Sequence, residues 1–287
     1  MLVAGAASVI APDAHLVKLA GDFKFTEGPT CDAHGNVFFT DKPNARIMEW
    51  SVDGKLATFL QPARRANGMY FDARGNLVIC AEENAELCSV APDKTVTVLV
   101  AGFDGKSLNG PNDVWIAPNG SLYFTDPYYR RRATDTNVTR VSGEKVYFLS
   151  ADKKILQPVI GDFKKPNGIT GTPDGKKLFA TDIRGDKTWR YDILPDGALT
   201  NKTLFCDKGS DGMTMDVEGN LYLCATGPTN GVSVFDPTGK LMDHIDVPEK
   251  WSANVSFGGA DHQTLFITAS ESLYAIRLRV KGANPAK

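Results

Sequence analysis

Six short motifs built around Glu, Asp and Asn recur along this chain of 287 residues, each ahead of an apolar run. Their first residues are 40, 45, 55, 44 and 43 residues apart, a spacing typical of the blades of a β-propeller. The motifs are Glu27-Gly28-Pro29, Asn67-Gly68-Met69, Asn112-Asp113-Val114, Asn167-Gly168-Ile169, Asp211-Gly212-Met213 and Asn254-Val255-Ser256. Repeated units that each bring a polar side chain to the same place predict a ring of oxygen ligands around one axis. Carboxylate and amide oxygens are the donors that a hard cation such as Ca²⁺ or Mg²⁺ prefers.

Asn-Gly and Asp-Gly are also common hairpin-turn dipeptides, so one motif taken alone would predict a turn. The repeat favours a site instead, because a separate turn already follows each motif. A second apolar run then begins, as in HGNVFFTD, RGNLVICA and NGSLYFTD.

The apolar runs predict an all-β fold, a six-bladed β-propeller with four-stranded blades. They are short, rich in Val, Leu, Phe and Tyr, and separated by Gly-containing turns. No long helical periodicity is visible, which excludes doubly wound α/β folds and helix bundles. The sixth unit is one strand short, and the N-terminal run HLVKLAGDF resembles the outer runs of other units. We therefore expect the N-terminal strand to close the last blade.

One domain is expected over residues 1–287, with an N-terminal extension at 1–14 and a tail at 281–287. The third unit is the longest, and its extra residues follow Asp126 in the segment 127–145. Strand alternation places the loop between the second and third strands of every blade on the ligand face. The insertion is thus predicted to be a lid, whose Tyr128 and Arg130 are candidates for contact with substrate.

Composition excludes several classes of protein and partner. The formal net charge of −2 provides no basic field for nucleic acid, and no apolar run is long enough to cross a membrane. The five cysteines form no C-x-x-C pair, and motifs for nucleophilic serine, P-loop or dinucleotide chemistry are absent. The opening segment lacks a basic n-region, so a soluble cytoplasmic protein is expected, with periplasm or secretion as the alternative if a leader was trimmed. The sequence predicts a small-molecule partner and leaves the oligomeric state open.

Several strings resemble the senescence marker protein, gluconolactonase and luciferin-regenerating enzyme family over residues 16–280. They are FTEGP, LNGPNDV, SLYFTDP, KKPNGI, MDVEGNLYL and FGGADHQTLFITA. The resemblance implies a six-bladed propeller with a divalent ion at the top of its axial tunnel, usually Ca²⁺, with Mg²⁺, Mn²⁺ or Zn²⁺ as alternatives. It also implies hydrolysis of a lactone ester.

The family's ligand residues map onto four positions of this sequence. Its metal-binding Glu falls on Glu27, its two Asn on Asn112 and Asn167, and its Asp on Asp211. Substrate contacts are implied near Asn67, Asn112 and Asp113. Asn254 follows the repeat but is not a usual family ligand, so no role is assigned to it.

The predicted activity is opening of a sugar lactone by a metal-dependent, gluconolactonase-like hydrolase. The resemblance makes Asp211 the first choice for the general base and Asp113 the second, whereas the lowered basicity of a metal-bound carboxylate favours Asp113. Two alternatives remain: a phosphotriesterase-type hydrolase on the same metal site, and a non-enzymatic propeller scaffold.

Overall fold

The computed structural model describes residues 8–129, 139–225 and 230–283, and it consists of six four-stranded antiparallel sheets. Blade 1 contains Thr26–Cys31 (β2), Val37–Asp41 (β3), Arg46–Trp50 (β4) and Leu56–Leu60 (β5). Blade 2 contains Ala66–Phe71 (β6), Leu77–Ala81 (β7), Glu86–Val90 (β8) and Val96–Val100 (β9). Blade 3 contains Val114–Ile116 (β10), Leu122–Asp126 (β11), Lys145–Leu149 (β12) and Leu156–Ile160 (β13).

The other three blades repeat this pattern. Blade 4 contains Pro166–Gly171 (β14), Lys177–Asp182 (β15), Lys187–Ile193 (β16) and Leu199–Cys206 (β17). Blade 5 contains Met213–Met215 (β18), Leu221–Ala225 (β19), Gly231–Phe235 (β20) and Leu241–Ile245 (β21). Blade 6 contains Ser252–Gly258 (β22), Thr264–Ala269 (β23) and Ser272–Arg277 (β24), together with Val17–Ala20 (β1). The prediction of a six-bladed propeller is confirmed.

Burial explains why the blades form a ring. The two inner strands of each blade are almost wholly buried, whereas the outermost strands are largely exposed, as in β5. Apolar side chains of neighbouring sheets pack in shared clusters, for example Phe38 of blade 1 against Phe71 of blade 2. The innermost strands then contact one another in ring order, from β2 through β6, β10, β14 and β18 to β22, which meets β2 again.

The N-terminal strand closes the ring as the sequence predicts. β1 pairs antiparallel with β24, with Val17 opposite Ala275. The expected extension also packs here, since Val9 is buried in the cluster of the last blade and Ile10 bridges Leu278. The first and last strands of the chain therefore pair within one sheet, and β24 has no unpaired edge.

The described part of the insertion, residues 127–129 and 139–145, continues from β11 and leads into β12. Residues 130–138, including Arg130, lie outside the described residues, so the predicted lid stays a prediction. The helical content of the described residues is one short 3₁₀ turn, Lys42–Asn44, so no helix there could span a membrane.

Removal of residues 1–20 should open the ring and lower the melting temperature by several degrees, because it deletes the fourth strand of blade 6 and the buried Val9. Thermal unfolding measures the loss, and amide exchange should increase along Ser272–Arg277. A chain lacking only residues 1–7 is the control. An unchanged melting temperature in the longer deletion would refute the closure.

Candidate active site at the propeller axis

The motifs lie at the start of the six innermost strands, where the strands approach the axis most closely. In blades 1, 2 and 4 the pairing with the neighbouring strand slips at the motif, so Glu27, Asn67 and Asn167 lie at β-bulges. A bulge turns the side chain away from the regular alternation. The five predicted polar residues at the first motif position are all buried: Glu27, Asn67, Asn112, Asn167 and Asp211.

Asn254 does not occupy this first position. Val255 pairs with Ile267 in the way that Val114 pairs with Phe124, so Asn254 corresponds to Asp113 and the first position of blade 6 is Ala253. The alignment of this motif with the other five, as read from the sequence, is therefore wrong by one residue. The cause is the different place of the bulge, which in blade 6 falls between Ser252 and Asn254.

The second motif position is Gly in four blades and polar in the other two, which lie opposite each other across the ring. A methyl group on Gly68 would lie 2.3 Å from the Asp113 carboxylate, and one on Gly212 would lie 1.9 Å from the Asn254 side chain. Glycine is thus required beside each polar residue. Asn254 donates a hydrogen bond to Asp113, and together they form a bar across the axis, called here the axial bar.

A small cavity of about 50 Å³ lies on the far side of the axial bar from the first-position residues. Its walls include the hydroxyl side chains of Thr30, Thr170, Thr214 and Ser256. None of the five polar first-position residues lines this cavity. The axial bar therefore separates the candidate site from the lower half of the axis.

Glu27 and Asp211 form the most strongly perturbed acidic pair of the site. Burial raises the pKa of Glu27 well above its usual range, and the neighbouring Asp211 carboxylate raises it further. Burial likewise raises the pKa of Asp211. Lys42 opposes both shifts, but its ammonium already pairs with Glu82 at 2.6 Å. Two desolvated carboxyl groups that interact in this way favour a cation nearby.

Asp113 has a different environment from this pair. Its carboxylate accepts hydrogen bonds from the Val114 amide at 3.0 Å, from the Ile169 amide and from Asn254. All three favour the charged form, yet burial is the larger effect and raises the pKa of Asp113 to about 7. Its carboxyl group therefore titrates near neutral pH.

A chain of side-chain hydrogen bonds crosses the ligand side of the site. The Asn167 amide donates to Asp211 Oδ1 at 2.7 Å and to the Tyr129 hydroxyl at 3.1 Å. The Trp251 indole donates to Asp211 Oδ2 at 2.7 Å. Tyr129 belongs to the stem of the insertion and Trp251 to the loop before β22, so loops of blades 3 and 6 both reach the centre.

Asn67 lies apart from this chain, on the side of blades 1 and 2. Its amide donates to Glu82 Oε1 at 3.5 Å, and Glu82 is the ion-pair partner of Lys42. Sequence reasoning missed Lys42, Glu82 and Trp251. Strand alternation could have indicated them, because all three lie in loops that it assigns to the ligand face.

Aspartates at the ends of the second strands bind the backbone just ahead of the motifs. Asp182 accepts hydrogen bonds from the Lys164 and Lys165 amides, both at 2.9 Å, just ahead of Asn167. Asp126 does the same for Asn109 and Gly110 ahead of Asn112. These aspartates fix the backbone that delivers each motif to the axis.

Tyr128 contacts basic residues outside this hydrogen-bonded chain. Its ring lies under the Arg140 guanidinium at 5.8 Å, and its carbonyl accepts from Lys165 at 2.5 Å. Its predicted contact with substrate, like that of Arg130, stays a prediction.

The donor set fits a hard divalent cation. Glu27 and Asp211 supply two buried carboxyl groups, and Asn112 and Asn167 add amide oxygens on the same ring. Among the described residues no three His, Cys, Asp or Glu side chains gather as a metal site by themselves. A cation site at this place would therefore have to include the amides. The free thiols are all buried and lie outside the ring of first-position residues.

Fold and site together define a six-bladed propeller whose axis holds buried acidic and amide side chains. The family model of the SMP-30/Gluconolactonase/LRE-like region matches residues 25–271, and the chain belongs to this family.

Relatives of known name and structure agree with this assignment. A gluconolactonase of Zymomonas mobilis is 30% identical over 294 residues, covering 92% of this chain and 81% of the relative. A solved structure of a Xanthomonas campestris gluconolactonase is 28% identical with a TM-score of 0.84, covering 94% of this chain and 91% of the other. A calcium-binding regucalcin from Agrobacterium tumefaciens shares the fold with a TM-score of 0.76 at 18% identity, covering 93% and 94% of the two chains.

Asp113→Asn should stabilise the cation-free protein at alkaline pH. A carboxyl whose pKa rises from 3.8 to about 7 on folding loses its contribution to stability as the pH increases through about 7. The isosteric amide does not titrate and so avoids this loss of folding stability. At about 1.4 kcal/mol per pKa unit, the loss is at most about 4 kcal/mol. The unfolding free energy in chelator should therefore differ more between variant and wild type at pH 8 than at pH 5.

The matched control for this experiment is Asp53→Asn, because Asp53 is an exposed turn residue. Its unfolding free energy should follow wild type at both pH values. A variant at Asp113 that gains nothing at pH 8 would contradict the burial argument.

Proposed function

We propose that this protein hydrolyses the ring ester of a sugar lactone with the help of a divalent cation, Ca²⁺ in the first place. The observation that carries the proposal is the convergence of Glu27 and Asp211, both buried, with Asn112 and Asn167 at the axis. The named gluconolactonases among its relatives support the substrate class. The calcium-binding description of the regucalcin supports the choice of ion.

The cation would be held by Glu27, Asn112, Asn167 and Asp211. When bound, it would supply Lewis-acid polarisation of the lactone carbonyl and charge stabilisation of the developing oxyanion. The role of the chain is to hold these donors in place. Asn167 and Trp251 fix both oxygens of Asp211, and Asp182 fixes the backbone ahead of Asn167.

Asp113 is our choice for the general base. Asp211 is the strongest acidic neighbour of Glu27, and Asp113 exerts a smaller effect on it, so Glu27 and Asp211 are the natural pair for the cation. A carboxylate that shares its charge with a cation is a weaker base. Asp113 then remains as the acidic group closest to the pair and free to accept a proton.

The reaction balances with these roles. The oxygen of a water molecule bonds to the carbonyl carbon, and one water proton passes to the Asp113 carboxylate. The ring C–O bond then breaks, and the leaving alkoxide oxygen takes up the proton that Asp113 accepted, which regenerates the carboxylate. The product is an open-chain hydroxy acid. Asn67 and Asn112 are the amides available to hold the hydroxyl groups of the sugar.

Chelation should abolish hydrolysis, and Ca²⁺ should restore it, because Lys42, the cation that acts on both buried carboxyls, already pairs with Glu82. The measurement is a rate screen over several aldonolactones with EDTA, followed by Ca²⁺, Mg²⁺, Mn²⁺ or Zn²⁺. An organophosphate triester run in parallel tests the phosphotriesterase alternative. Full activity with a cation-free protein, confirmed by metal analysis, would disprove the mechanism.

Substitutions should separate cation ligand from base. Glu27→Gln removes a charge from the pair, so it should weaken Ca²⁺ binding, and high Ca²⁺ should recover part of the lost rate. Asp113→Asn should bind Ca²⁺ nearly normally yet lose roughly 10²–10⁴-fold in kcat, the usual contribution of general base catalysis.

Asp211→Asn decides between the two candidates for the base. It should behave as Glu27→Gln does, with partial recovery at high Ca²⁺. Calorimetric titration alongside kcat covers all three variants. Rates close to wild type in both Asp113→Asn and Asp211→Asn would remove these carboxylates from the mechanism.

A further inference from the structure

Trp251 is a partly exposed side chain whose indole nitrogen contacts the acidic centre. It is 37% exposed, and yet its indole nitrogen is fixed at 2.7 Å from Asp211 Oδ2. Its backbone carbonyl is fixed too, accepting from the Ser270 amide at 2.9 Å. The residue is therefore anchored by its indole and by its backbone, while more than a third of it remains exposed.

Core packing does not account for this residue. Among the described residues, the apolar clusters of blades 5, 6 and 1 do not include Trp251. The contrast is Trp189 on β16, which is partly buried against the blade 4 cluster and lies under the Lys202 ammonium at 4.3 Å. Trp251 instead has its polar edge on the acidic centre of the site.

The hydrogen bond decides how the Asp211 carboxylate is oriented. One of its oxygens is held by Asn167 and the other by Trp251, so the plane of the carboxylate is set from both sides. Without the indole N–H, Oδ2 would lose the partner that opposes Asn167. Hydrogen bonds to a charged acceptor are among the stronger ones in proteins.

The exposed ring offers a flat apolar surface beside the acidic centre. Aromatic rings in ligand pockets supply contact area, while a few polar groups fix orientation. A sugar lactone matches such a surface, because its hydroxyls can face the amides of the site while the C–H face of its ring lies on the indole.

We propose that Trp251 is a positioning residue for the Asp211 carboxylate and that its exposed ring face forms one wall of the lactone subsite. The second part rests on the proposed function. The first part concerns the folded chain and its cation, and it can be measured without any turnover.

Two substitutions separate the two parts. Trp251→Phe removes the N–H and keeps an aromatic face, whereas Trp251→Leu removes both. Trp189→Phe is the matched control, since it also removes one of the four indoles of the chain but does not contact the site. Each protein is titrated with Ca²⁺ by calorimetry and by tryptophan emission, and kcat and KM are measured on an aldonolactone.

The positioning role predicts that Ca²⁺ affinity falls about tenfold in both Trp251 variants, as expected for a lost hydrogen bond to a charged group. The Ca²⁺-dependent change in emission should be largely lost in both and retained in Trp189→Phe. If the ring forms a wall of the lactone subsite, KM should be roughly three- to tenfold higher in Trp251→Leu than in Trp251→Phe. That ratio corresponds to the usual energy of an aromatic contact.

Unchanged Ca²⁺ affinity and emission response in either Trp251 variant would overturn the positioning role. Equal KM values for the Phe and Leu variants, with an active wild type, would overturn the wall. A wild type that opens no lactone but binds Ca²⁺ would refute the proposed function. The Ca²⁺ titrations of the variants would then still decide the positioning role. A wild type that binds no Ca²⁺ would overturn the positioning role.

Discussion

The desolvation of Glu27 and Asp211 is the constraint on which the rest of the site depends. Two carboxylates that are buried side by side cost free energy unless a cation or a proton offsets their charge. The propeller tolerates this cost because the strands of six blades surround it with buried apolar packing. The aspartates behind the motifs, such as Asp182, then prevent the incoming backbone from relaxing away from the axis.

The fold could be predicted from sequence almost completely, since the repeat, the short apolar runs and the missing strand all report on backbone pattern. The first-position residues of five blades could be predicted for the same reason. Asn254 could not, because the place of a bulge depends on how two strands pack and leaves no mark on local composition. Trp251 and Lys42 were missed because they lie in loops outside the repeat, where only strand direction indicates the ligand face.

Glycine has a particular role at the second motif position. Gly68 and Gly212 leave room for the neighbouring Asp113 and Asn254, which meet across the axis and close it below the ring of first-position residues. A propeller with six glycines there would have an open axis, and one with six larger residues could not bring its strands together. The combination of four glycines and two polar residues gives the site a floor. That floor carries the carboxyl group whose pKa lies near neutral pH.

The pairing of β1 with β24 has a consequence for how the protein is made on the ribosome. Glu27 is synthesised early, Asp211 and Trp251 late, and the sheet that brings blade 1 beside blade 6 is complete only after Arg277 has left the exit tunnel. A nascent chain of five blades already carries Glu27, Asn112, Asn167 and Asp211, but it lacks the sixth blade that closes the ring around them. A cation that binds only the finished ring would stabilise full-length molecules selectively, so chain termination before the last blade should yield products that quality control can distinguish.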